Sequence, residues 1–197
     1  MNTMNSLSKY KKPFIHSSSQ MSNMNNNPYA VLKRLTELYT EQTNGINIKL
    51  WNVYGNEPIN EKSHVIPDFI DQAIENGVIQ MRTNGNEERQ FVFADDFGEA
   101  LHVVVENYEK FKSYESIDIS SFVWVSIKEI ALLIRDLAKE ILHKDIEIKE
   151  GTYVDTFHNR KNFPQQSLLN TMWSPRVSLK EGLRRIFLEK LALKTTA

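Results

Sequence analysis

Apolar runs of strand type alternate with apolar stripes of helical spacing along nearly the whole chain, and that alternation places the fold in the α/β class. Phe14 and Ile15 open a segment that reads as a buried strand and leads into Ser17-Ser18-Ser19. Residues 20–27 read as an Asn/Met/Ser loop without hydrophobic period. Asn27-Pro28 then starts a helix, because asparagine suits the N-cap and proline the first helical position; Val31, Leu35, Leu38 and Tyr39 follow at helical spacing, and Asn44-Gly45 is a stop. The stripe Leu35/Leu38/Tyr39 is expected in a core or a subunit interface. Ile46, Ile48 and Leu50 alternate in a strand over 46–53. Further on, the spacing predicts a helix over 65–76 ended by Gly77, strands over 78–82 and 89–93 around a turn at Asn84-Gly85, and a helix capped by Asp95-Asp96 that runs through Tyr108. Ile117 to Ile119 is a short strand. Ser126 with Glu129 forms a capping box before Ile127, Ile130, Ala131, Ile134, Leu137 and Ile141, and Ser178 with Glu181 repeats it before Leu179, Leu183, Ile186, Phe187 and Leu191. Residues 1–12 read as the tail of a helix closed by a Lys-rich end and Pro13.

Charge and composition exclude several classes of function. The 197 residues carry 24 Lys plus Arg against 25 Asp plus Glu, a net −1, with no local basic patch, so neither nucleic acid nor anionic lipid is an expected partner. No apolar stretch approaches the roughly 20 residues that cross a bilayer, and Lys9, Lys11 and Lys12 are not followed by the apolar core of a secretory signal. A cytoplasmic location is the default. With no cysteine, disulfides, thiolate catalysis and Cys-ligated metals are out, and the five histidines, 16, 64, 102, 143 and 158, show no ligand spacing, so no metal is expected. The seven glycines fall singly at 45, 55, 77, 85, 98, 151 and 182. Neither GxGxxG nor GxxxxGK[ST] can be written from those positions, so the turn that lets a backbone approach a pyrophosphate is absent from this sequence.

Tyr29 and Lys33 stand at i and i+4 on the helix opened by Pro28, and therefore on one face. A phenol with a fixed ammonium one turn away suits proton transfer, since the cation favours the phenolate form. Tyr108 and Lys112 repeat the spacing, and context separates the two pairs. Ten residues before Tyr29, Ser19 lies just beyond a predicted strand, where open α/β sheets place their ligands. Tyr108 has no such neighbour and reads as a solvated helix end.

A strand ending in serine, a loop, Asn-Pro-Tyr-x-x-x-Lys, a helix, and a strand ending Asn52-Val53-Tyr54-Gly55 together resemble the second half of an extended short-chain dehydrogenase/reductase of the NAD-dependent nucleotide-sugar epimerase/dehydratase family. Arg89-Gln90-Phe91-Val92-Phe93-Ala94-Asp95-Asp96 is similar to that family's Arg-Asp-Phe-x-x-Val-Asp-Asp stretch. Trp173-Ser174-Pro175-Arg176, followed by Ser178-Leu179-Lys180-Glu181-Gly182-Leu183, looks like its closing helix.

The resemblance implies a catalytic triad of Ser19, Tyr29 and Lys33, in which Tyr29 exchanges the hydroxyl proton, Lys33 with Tyr29 meets the nicotinamide ribose, and Ser19 hydrogen-bonds the sugar oxygen. It implies substrate contacts at Asn52 and, for the nucleotide diphosphate, at Arg89, whose guanidinium can give two parallel hydrogen bonds; a salt-bridged strand arginine is the plain alternative. Arg176 is a further candidate, against an ordinary basic residue before a helix. The arginine usual three residues before Asn52 is Lys49 here. Sugar 4,6-dehydratases usually carry Asp-Glu directly after the triad serine, and Gln20-Met21 stand there, which leaves epimerase and 4-ketoreductase open.

The fold so implied is the C-terminal part of a Rossmann-like doubly wound sheet, residues 1–54, plus a smaller α/β substrate-binding domain, residues 55–197, with some segments crossing between them. NAD or NADP is the implied cofactor and a nucleotide sugar the implied substrate. The leading expectation is a truncated UDP-glucose 4-epimerase-like enzyme, inactive without the N-terminal cofactor-binding unit. The alternatives are half of a 4-ketoreductase and a catalytically silent sugar-nucleotide-binding or interaction module. Expected protein partners are a second copy, in a homodimer, or a complementary N-terminal half.

Overall fold

The computed structural model describes residues 12–24, 27–57, 64–153 and 163–195, together with Ser6 and Lys9, both helical. Lys12 is described and is not helical, while residues 1–5, 7, 8, 10 and 11 of the helix expected over 1–12, the loop around Pro58 and His158 lie outside the described residues. The chain is α/β and divides into two units, Met1–Val53 with Asp95–Phe122 and Lys161–Pro175, and Tyr54–Ala94 with Val123–Arg160 and Arg176–Ala197. Segments 95–122 and 161–175, expected with the smaller domain, thus pack with the first unit.

The first unit is built on a parallel sheet. Strand β2 (Gly45–Leu50) lies between β1 (Phe14–Ser19) and β6 (Ile117–Ile119). Between β1 and β2 the chain forms a short 3-10 helix, Gln20–Asn23, where a loop was expected, and then helix α1 (Pro28–Gln42). Asn27 caps α1 as predicted: its Oδ1 accepts from the Ala30 amide at 2.9 Å, with Pro28 in the first turn. Asn44, at φ 59, turns the chain back into β2. β1 was expected to be buried; as an edge strand of this sheet it buries only Ser18. The predicted strand over 46–53 breaks at Trp51 and resumes as β3 (Asn52–Tyr54).

The face that α1 covers is polar. Ser18, Lys49 and, in register across the sheet, Asp118 lie on one side with His16 and Asn47, while Ile46, Ile48, Ile117 and Ile119 alternate with them and are buried on the other. The buried residues of α1 are accordingly Ala30, Glu37 and Thr40. The stripe Leu35/Leu38/Tyr39, expected in a core or a subunit interface, is not part of the core of this unit: Leu35 and Leu38 are exposed, as are Tyr29, Val31 and Leu32, and Tyr39 is half-buried.

Helix α3 (Ala94–Glu106) and the single turn α4 (Tyr108–Phe111) replace one predicted helix. Asp95 and Asp96 sit in the first turn of α3, where their charge complements the helix dipole. The Tyr108 hydroxyl donates to the Asn44 carbonyl, and Lys112 pairs with Glu109 on the surface. A short helix, α6 (Leu169–Met172), closes the described part of this unit.

The second unit packs three helices around one apolar core. Helix α2 (Val65–Asn76) ends at Gly77 in the left-handed region (φ 67), as the sequence predicts. Helix α5 (Ile127–Leu142) opens with the predicted capping box: Ser126 Oγ accepts from the Glu129 amide at 3.1 Å, and Glu129 accepts from the Ser126 amide at 2.7 Å. Helix α7 (Leu179–Thr195) is capped by Ser178, whose Oγ accepts from the Glu181 amide. Ile66, Phe69 and Ile70 meet Ile130, Ile134 and Leu137, with Ile186 and Phe187 completing the cluster. Tyr54 stands edge-on to Phe93 in this core, and Gly182 leaves room for its hydroxyl. The strands over 78–80 and 88–93 do not pair with each other. β4 (Val78–Gln80) pairs in parallel with β8 (Glu147–Lys149), and β5 (Glu88–Phe93) pairs antiparallel with β7 (Trp124–Ser126). No helix among the described residues is long and apolar enough to cross a membrane.

Candidate active site

Polar side chains of the first unit gather at the carboxyl ends of its parallel strands, the place where open α/β sheets bind ligands. Ser19 closes β1, in register with Leu50, which closes β2 and stands opposite Ile119 at the end of β6. Asn52, half-buried, follows two residues beyond β2. Because side chains alternate along a strand, Ser18 turns inward to α1 while Ser17 and Ser19 face the other way. Ser19 Oγ accepts from the Met21 amide at 3.2 Å and so caps the 3-10 helix that follows it.

The Asn-Pro start fixes where α1 begins, and with it the position of Tyr29. Tyr29 is 51% exposed, leaving its phenol open to a ligand. One turn on, Lys33 Nζ lies 5.8 Å from the centre of the Tyr29 ring and donates to the Ser17 carbonyl at 2.8 Å. That bond sets the Tyr29–Lys33 face against the last residues of β1, two positions from Ser19. Tyr108, by contrast, spends its hydroxyl on backbone carbonyls of Asn44 and Phe14 and is a structural anchor.

The sequence profile of the NAD dependent epimerase/dehydratase family matches residues 8–120, more than half of the chain and all of this site. The chain belongs to that family. Among curated relatives, GDP-L-fucose synthase 1 of Arabidopsis thaliana is 28% identical over 145 residues, 69% of this chain and 42% of the relative. The chain spans less than half the length of the curated relatives it matches. Of solved structures, dTDP-glucose 4,6-dehydratase from Bacillus anthracis, in complex with NAD, superposes with a TM-score of 0.80 at 18% identity, covering 98% of this chain and 66% of that one. UDP-glucose 4-epimerase from Thermotoga maritima, with UDP-glucose, gives 0.75 at 22% identity, covering 98% and 68%. These two likenesses show the Rossmann-like fold.

In this member of the epimerase/dehydratase family, the triad candidates and Asn52 share the first unit, whereas Arg89 and Arg176 belong to the second. Arg89 is half-buried on β5, in register with Val125, and Arg176 is exposed just before α7. Among the described residues no three His, Asp or Glu side chains are grouped to hold a metal ion.

Sequence reasoning missed the charged layer beneath α1. Glu37 is fully buried and accepts from Ser18 Oγ and from Arg34 at 3.0 Å, with Lys49 Nζ 3.6 Å away. Burial pushes its carboxyl up, but the hydroxyls around it, Ser18 foremost, together with the Lys49 charge and the Arg34 bond outweigh this and leave it below the ordinary carboxylate value. Asp118 is the opposite case: burial raises it, against hydrogen bonds from Trp51 Nε1 at 2.7 Å and the Gln165 amide at 3.0 Å. Burial also lowers His16, despite its contact with Asn47 at 3.0 Å, and the nearby Lys33 charge lowers it further. One signal for Glu37 was available: Tyr29, Lys33 and Glu37 follow one another at steps of four along one side of α1.

Proposed function

We propose that this chain carries the proton-transfer site of an NAD(P)-dependent nucleotide-sugar epimerase of the UDP-glucose 4-epimerase kind, acting in the cytoplasm. The observation that carries the reading is the Lys33–Ser17 bond, which joins the Tyr29–Lys33 face to the strand end bearing Ser19. An exposed phenol, an ammonium fixed beside it and a strand-end hydroxyl are the groups needed to move a proton on and off a sugar hydroxyl. Tyr29 takes and returns that proton, Ser19 donates to the sugar oxygen, and Asn52 meets the substrate at the same sheet edge. Gln20-Met21 after Ser19 offers no acid–base pair for eliminating water, which favours epimerisation over dehydration.

Tyr29 and Lys33 also suit the nicotinamide ribose, with a phenol and an ammonium that can donate to its hydroxyls, and they are the residues that would hold it. The cofactor, when bound, supplies reversible hydride transfer at the sugar carbon. The single glycines offer no pyrophosphate turn, so activity requires a glycine-rich βαβ unit besides the residues described. Arg89 and Arg176 are the candidates for the nucleotide diphosphate. The exposed apolar residues Val31, Leu32, Leu35 and Leu38 of α1 support pairing with a second copy of the chain.

The test is turnover of a nucleotide sugar with a complementary cofactor-binding half supplied. Tyr29→Phe should lower kcat by about a hundredfold or more, while Tyr108→Phe, which loses only backbone bonds, should keep it within about threefold. Equal losses in the two variants would refute the choice of Tyr29.

A further inference from the structure

The three pieces of chain that present the proton-transfer groups are held by one buried carboxylate. Glu37 lies two turns along α1 from Tyr29 and one turn from Lys33, and unlike them it has no exposure to solvent. Its carboxylate accepts from Ser18, the residue next to Ser19 on β1. The same carboxylate faces Lys49 of β2, and the Lys49 ammonium donates onward to Asn23 Oδ1 at the end of the 3-10 helix that Ser19 caps. Its backbone carbonyl accepts from Asn47 Nδ2 at 3.1 Å, a second tie to β2. Anchoring Ser18 on one side of β1 fixes the direction of Ser19 on the other, because successive side chains of a strand point oppositely. Anchoring Asn23 fixes the turn from which the Met21 amide reaches Ser19 Oγ.

We propose that Glu37 is a positioning residue for this site, holding the helix that bears Tyr29 and Lys33, the strand that bears Ser19 and the turn between them in one register. It touches neither substrate nor cofactor. The inference rests on the proposed function only for its effect on turnover; the positioning itself is a property of the folded chain.

Two readouts test it, on Glu37→Gln and on Asp71→Asn, which removes a buried carboxylate charge from its Lys190 pair in the second unit. The first is amide hydrogen exchange of the chain alone. Glu37→Gln should speed exchange at Met21 and Ala30 by about tenfold or more while Ile48 and Leu50 of β2 change by less than about threefold, and Asp71→Asn should move none of these four. The second is turnover with the cofactor-binding half supplied: Glu37→Gln should lower kcat by about tenfold or more with KM within about twofold, and Asp71→Asn should change neither.

Acceleration in Glu37→Gln by one common factor at all four amides, or an unchanged kcat in an enzyme that still depends on Tyr29, would overturn the proposal. If the exchange pattern holds but wild-type turnover does not depend on Tyr29, the proposed function fails and the positioning role stands. Should Glu37→Gln not fold, Glu37→Asp, which keeps the charge one methylene further from Ser18 and Lys49, carries the same two readouts and the same overturning results.

Discussion

Replacing Lys49 with methionine removes an ammonium 3.6 Å from Glu37 while keeping most of the side chain's bulk. At an effective dielectric of about 20, two unit charges at that distance attract by about 4.6 kcal/mol. Not all of this is lost, for Arg34 stays 3.0 Å from the same carboxylate and Ser18 still donates to it. Methionine also recovers part of the cost of burying an ammonium whose side chain is 8% exposed. The expected destabilisation is therefore about 2–3 kcal/mol, at or below the low end for a broken buried pair. Glu37→Gln with Lys49→Met should cost less than the sum of the two single changes, with a coupling of about 1.5–2.5 kcal/mol.

The coupling should also depend on pH. Glu37 is depressed in the folded state, so its contribution is present above the ordinary carboxylate value of about 4.3 and is lost as pH falls through its lower folded value. The gap between wild type and Lys49→Met should accordingly narrow on acidification. Urea denaturation of the four proteins at neutral and acidic pH measures both quantities. A coupling below about 0.5 kcal/mol at neutral pH would refute the reasoning, since it would mean that the ammonium and the carboxylate do not sense each other across the sheet.

Asp118 should show the reverse pH dependence. Burial raises its carboxyl, so the folded state binds the proton more tightly, and its contribution is greatest below about 3.9 and falls as pH rises through the raised value. The stability of wild type relative to Asp118→Asn, followed by thermal melting from pH 4 to 7, should decline across that range; a flat difference would contradict it. His143, exposed at the carboxyl cap of α5, holds φ at 56, a conformation that glycine adopts at less cost. His143→Gly should therefore stabilise by about 0.5–1 kcal/mol, and a loss in urea denaturation would show that the imidazole makes a contact worth more than the strain.

Helix starts and stops were legible because they are local chemistry. Asn27-Pro28, Gly77 and the Ser126/Glu129 box each satisfy or terminate backbone groups within a few residues, so neighbouring sequence suffices to specify them. The Tyr29–Lys33 pair was legible for the same reason: a step of four fixes their common face once α1 forms. Strands β7 and β8 and the single turn α6 were not: β7 runs straight into the capping box of α5, β8 offers one apolar residue between Glu147 and Lys149, and the four residues of α6 are too few for a helical period, whereas β6, equally short, shows Ile117 and Ile119 in alternation.

Tertiary structure alone decided which side of α1 faces inward. A stripe of Val31, Leu35 and Leu38 shows that one side of the helix differs from the other, and burial, in a core or against another subunit, is the ordinary inference. The sheet beneath α1, however, presents Ser18, Asn47, Lys49 and Asp118, contributed by three strands whose register no local pattern encodes. Against such a face the favourable partner is a carboxylate that can accept from a hydroxyl and meet an ammonium, so Glu37 goes inward. The apolar stripe is left outside, because its burial would strand those polar groups without partners at a cost of several kcal/mol each. The pairing of β4 with β8, more than sixty residues apart, likewise depends on the three helices of the second unit closing on one core. Period and caps determine which segments are helices and strands; partner chemistry across the sheet determines which of their faces are inside.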